Sequence, residues 1–133
     1  MAFYRTREGA LTAADSMTAL GSLYGQSTTA AVQIPQQAQA IVGIIATVAS
    51  DSATNGATTF AVQLSGDGLS QGQETLTIGS QGVDGTPASN GMTNLPFSMD
   101  VAIPVVGSNQ VSIAAAMDTD VGTCAVAVTL IFA

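Results

Sequence analysis

The chain has 133 residues, enough for one domain with a real core. Charged residues make up only 8%: nine carboxylates, two arginines and no lysine, for a net charge of −7 with no histidine. That balance argues against a nucleic-acid-binding surface, which needs several cations to release condensed counterions, and it removes the commonest general base, the Schiff-base amine and the imidazole metal ligands.

Residues 1–29 are the least sheet-like stretch and are read as an N-terminal arm. Leu11, Ala14, Met17 and Leu20 are spaced for a helical turn or two, but Gly9, Gly21 and Gly25 bracket a piece too short for a stable isolated helix. Phe3, Tyr4, Leu20, Leu23 and Tyr24 are the arm's anchors, expected to pack along the domain or a neighbouring copy. Arg5 and Arg7, the chain's two cations, sit in the same stretch and could touch a polyanion or lipid head groups, although solvated or ion-paired arginines are the blander reading.

From residue 30 to 133 the pattern becomes β. Ala30–Ile34 is a short strand stopped by Pro35. Ala38–Ser50 is a long one, with Ile41, Ile45 and Thr47 on one face and Val42, Ile44 and Val48 on the other. Its β-branched content argues against a helix. Asn55-Gly56 is a turn signal, and Thr58–Ser65 is expected to return as the second arm of a hairpin, with Phe60, Val62 and Leu64 on one face. Glu74–Gly79 directs Leu76 and Ile78 inward and Thr75 and Thr77 outward.

Residues 80–94 form a long Gly- and Ser-rich loop, a place for a polar binding site. Leu95–Val106 carries Pro96 and Pro104, which suit edges or strand ends. Gly107-Ser108-Asn109 reads as a hairpin turn into Gln110–Met117. The last strand, Cys124–Ala133, alternates larger residues (Cys124, Val126, Val128, Leu130, Phe132) with Ala125, Ala127, Thr129, Ile131 and Ala133. Its second face is small and mostly apolar where a solvated strand face would be polar. A neighbour is therefore expected to cover Ala125 and Ala127, while Val128 fills the core and Cys124 behaves as a buried small hydrophobe.

Seven or eight strands with turns every eight to twelve residues spell an all-β fold, an antiparallel β-sandwich. Long connections, and the absence of a cysteine pair with a core tryptophan, lean it toward a jelly roll with an N-terminal arm. No nucleophile elbow occurs. Gly66, Gly68 and Gly72 are one residue too widely spaced for a dinucleotide fingerprint. Asp118 and Asp120 are the only carboxylates close in sequence in the second half of the chain; they are weak candidates for a Ca²⁺ site and more simply turn caps. No catalytic residue and no cofactor is assigned. The longest apolar run, residues 40–49, is too short to span a bilayer as a helix, and no secretory leader is recognised.

In layout the chain resembles the small single jelly-roll capsid proteins of icosahedral viruses. The likeness rests on an arm ending near Ala30, strands such as Ala38–Ser50 and Cys124–Ala133, and Ser/Gly/Thr-rich loops. It implies a non-enzymatic structural protein, made in a host cytoplasm and located in the virion, whose partners are copies of itself and other virion proteins. RNA-packaging members often carry a strongly basic arm, and this one has only Arg5 and Arg7. That departure suits a shell over an internal membrane, or a cement or tail component. The alternative of a different class is a carbohydrate- or cell-surface-binding sandwich module.

Overall fold

The computed structural model describes residues 2–21, 31–50, 56–83, 93–118 and 123–133. Its strands are β1 (Phe3–Leu11), β2 (Thr18–Ala19), β3 (Ala31–Gln33), β4 (Ala40–Ser50), β5 (Gly56–Ser65), β6 (Gln73–Val83), β7 (Thr93–Pro104), β8 (Gln110–Met117) and β9 (Cys124–Phe132). One sheet runs β1-β9-β4-β7, and the other runs β2-β8-β5-β6 with β3 also on β8. Every strand pairing is antiparallel. Since β2 and β3 share one edge position, the strands fill the eight positions of a jelly roll, the chain crossing repeatedly from sheet to sheet. The expected antiparallel sandwich is what forms.

Alternation builds the core directly. On β9, Cys124, Val128, Leu130 and Phe132 are fully buried and Val126 nearly so. Facing them from the other sheet are Phe60, Val62 and Leu64 of β5 and Val111, Ile113, Ala115 and Met117 of β8. Each such side chain, moved from water to the interior, contributes about 1.5–3 kcal/mol for the larger residues. Cys124, the chain's one cysteine, is buried within this layer and forms no disulfide.

Three expectations need correction. The division into an arm at 1–29 and a sandwich at 30–133 does not follow the sheets, because residues 3–11 pair along the whole of β9 and 18–19 pair with β8. The residues gave no strand signal because β1 places Arg5, Arg7 and Gly9 on its inner side, where alternation normally shows apolar groups. Second, β4 and β5 form no hairpin. β4 pairs with β7 and β9, and β5 with β6 and β8, so the connection between them crosses sheets. The 107–109 turn is likewise a corner between β7 and β8. Turn residues mark where a chain reverses without saying whether the returning strand pairs or crosses.

Third, the faces of β4 are not those of strict alternation. The register shifts between Ile41 and Gly43, so Ile41 and Ile44 both point into the core while Val42 is 38% exposed. A bulge flips the parity of everything before it.

The β5–β6 loop is held against the start of β8: the amide of Gly68 donates to the Gln110 carbonyl at 2.8 Å. A Cβ at Gly68 would lie 2.6 Å from that same oxygen and against Ile34 Cδ1. Because the obstacle includes backbone, Gly68→Ala is expected to cost about 1–3 kcal/mol. A lower urea midpoint with an unchanged slope would register it.

Candidate functional site

The register places four rows of side chains on the outer face of the β1-β9-β4-β7 sheet. They begin with Tyr4–Ile131–Gly43–Asp100 and Thr6–Thr129–Ile45–Ser98, followed by a row holding Glu8, Ala127 and Thr47 and one holding Ala10 and Ala125. Thr6 and Thr129 hydroxyls hydrogen-bond across strands at 2.8 Å. Gly43 lets Ile131 lie flat: a Cβ there would come 3.1 Å from Ile131 Cδ1. Among the described side chains of this face only Glu8 and Asp100 carry a charge at neutral pH. The rest are small or β-branched, apart from Tyr4 at 59% exposure. In a single copy Ala125 is exposed, and Ala127, Thr129, Ile131, Ile45 and Thr47 are half-buried.

The residues singled out as an assembly surface therefore separate. Tyr4, Ala125 and Ala127 share the outer face. Phe3 points the other way, partly buried against the core. Leu20 is fully buried in the domain's own core and so is not an intersubunit anchor. It lies under Gly9, whose Cβ would meet Leu20 Cδ2 at 2.9 Å. Leu23 and Tyr24 fall outside the described residues.

The two arginines are spoken for along the β1 edge. Arg5 donates to the Tyr4 carbonyl at 3.0 Å. Arg7 donates to Thr6 O at 2.8 Å and across to Ala31 O of β3 at 2.9 Å. Sequence reasoning missed this role, since nothing local shows that these positions lie opposite Leu130 and Val128 on an inner face.

On the outer face of the other sheet a cavity of about 350 Å³ is lined by Asp15, Met17, Thr59, Ala61, Thr77 and Asp118, among others. Asp118 caps the end of β8: its Oδ1 accepts from the Thr59 amide at 2.8 Å and its own amide donates to Thr59 O at 3.1 Å. Asp120 and most of the 80–94 stretch fall outside the described residues. No cluster of three or more metal-ligating side chains occurs among the described residues, and no described helix is long and apolar enough to cross a membrane.

No protein-family model and no curated protein matches the chain. Among solved structures it is similar to the C-terminal family 22 carbohydrate-binding module of Clostridium thermocellum endo-1,4-beta-D-xylanase 10B. The TM-score is 0.44 at 14% identity, over 97% of this chain and 85% of that one. A xylan-binding domain from Paenibacillus barcinonensis scores 0.42 at 11% identity, over 97% and 84% of the two chains. A chain of infectious bursal disease virus, Gx strain, scores 0.38 at 14% identity, and there the match spans 96% of this chain but 37% of that one. Scores and identities this low describe a shared sandwich and carry no functional argument.

Proposed function

We propose that the chain is a non-enzymatic structural protein whose copies assemble into a shell, with the β1-β9-β4-β7 outer face as a contact surface. The observation that carries this is the row of small and apolar side chains along the middle of that face: an antiparallel sheet with one solvated side normally turns polar residues outward, whereas here Ala125, Ala127, Ile131 and Ile45 stand outward among threonines, with Glu8 and Asp100 on the flanking strands. Small side chains allow another layer to approach closely. A virion is the setting this reading implies, after synthesis in a host cytoplasm, with other shell proteins as further partners. Light scattering and electron microscopy of the purified protein test it. Closed particles or large regular oligomers are expected, and a monomer independent of concentration would defeat the reading.

A second reading is a saccharide-binding sandwich, favoured by the cavity on the other sheet. Its Asp15, Asp118 and Thr77 offer oxygen partners above the alanine floor of Ala61 and Ala116, which matches the hydroxyl-rich edges and aliphatic faces of a sugar ring. Calorimetric titration with xylo- and cello-oligosaccharides decides it: saturable heat lost on Thr77→Val supports it, and flat titrations reject it.

A further inference from the structure

We propose that β1 is an exchangeable strand, which in the assembly seats on β9 of a second copy as it does here on its own. The proposal rests on the self-assembly reading and names a contact within it. β1 lies at a sheet edge and, among the described residues, pairs with one strand, β9, apart from a bridge between Glu8 and Gly21. Its inner side is poorly fitted to hold it. Opposite Leu130, Val128 and Val126 it presents Arg5, Arg7 and Gly9, leaving Leu11 and the partly buried Phe3 as its apolar anchors. The Arg7 Nε is buried without an acceptor, which costs free energy wherever the strand sits.

The connection that follows, residues 12–17, is exposed throughout. It turns at Asp15, whose φ of 55° lies in the left-handed region that aspartate tolerates. An edge strand on an exposed connection can trade places at low cost, since the exchanged contacts are the same ones made in trans.

The outward edge of β1 directs the exchange. Glu8 turns its amide and carbonyl away from β9, to Gly21, so Thr6 and Tyr4, two and four residues before it, also face outward. Their carbonyls are the ones that Arg7 and Arg5 occupy. A second copy therefore finds the β1 edge closed to strand addition, in the way inward charges close natural sheet edges. The pairing left for exchange is the seat on β9, whose edge amides and carbonyls need a strand beside them.

Thr6 and Thr129 are directly opposite on the outer face, at a pair whose backbone groups do not bond each other, a spacing that suits a disulfide. The test is Thr6→Cys/Thr129→Cys, oxidised as assembled particles, then denatured and run without reductant. Exchange shifts the chain from monomer to covalent dimers and ladders, while single-cysteine controls stay monomeric. Ala10→Cys/Ala125→Cys, an equivalent pair near the connection, gives the same pattern should the first variant fold poorly. Cys124 points into the core and takes no part. Intrachain links alone in intact particles overturn the exchange and leave assembly standing, as do ladders that single-cysteine controls reproduce. A wild-type chain that stays monomeric overturns both.

Discussion

Val126→Asp is expected to yield no folded protein. Val126 is 2% exposed, lies opposite Gly9 on β1 and Val48 on β4, and faces the core of the other sheet. An isolated carboxylate there loses its hydration at an effective cost of several kcal/mol, and the lost valine burial removes about 1.5–3 kcal/mol more. Together these rival the roughly 5–15 kcal/mol that holds a domain of this kind. One pair along, the result differs. From alternation alone Val128→Asp should be just as damaging, but Arg7 lies directly across from Val128 and has a buried Nε with no acceptor. A carboxylate at 128 gains a guanidinium partner, so Val128→Asp is expected to fold with reduced stability. Adding Arg7→Met should then make it worse, by about 3–5 kcal/mol for a buried charge stripped of its partner. Urea denaturation followed by circular dichroism measures the cycle. Equal damage at 126 and 128 would mean that Arg7 does not reach the core side of β9.

That contrast shows where sequence reasoning stops. The alternation of Cys124–Phe132 was legible because each larger residue does go inward, and so were Phe60, Val62 and Leu64. Alternation assigns a face to a residue only when the strand is regular and its inner side is apolar. β1 breaks the second condition with Arg5, Arg7 and Gly9, and β4 breaks the first with its shift at Ile41 and Gly43. Pairing partners were not legible either. Phe3–Leu11 meets Cys124–Phe132 across nearly the full length of the chain, and such a contact leaves no local trace. The candidate surface was half visible: Ala125 and Ala127 announced it from their own strand, while Thr6, Glu8, Ile45 and Thr47 joined it only through register. Leu20 shows the opposite error, an apolar residue in an unstructured-looking stretch that turns out to fill the domain's own core.

Ala127→Asp separates folding from assembly. Ala127 is half-buried on the outer face, between Glu8 on β1 and Thr47 on β4. In a single copy the new carboxylate reaches water, and its main penalty is the like charge of Glu8 directly opposite, about 0.2–1 kcal/mol. Folding is therefore expected to persist with a slightly lowered melting temperature. Under a neighbouring copy the same group loses its water without a cation to meet it, since the chain's two arginines are engaged at the β1 edge. An unsatisfied buried carboxylate at about 3 kcal/mol weakens each contact by roughly a hundredfold, and repetition over a shell multiplies the loss until particles no longer form. Two companions make the result specific. Ser112→Asp, at an exposed position on β8 in the other sheet, should assemble as wild type does. Ala127→Asp/Glu8→Gln, which removes the like charge, should recover the melting temperature but not the particles. If light scattering finds the Ala127→Asp chain assembling normally, the β1-β9-β4-β7 face is open to solvent in the assembly and the contact lies elsewhere on the molecule. Particles returning in the double variant would instead place the cause in the Glu8 repulsion, leaving burial of this face without support.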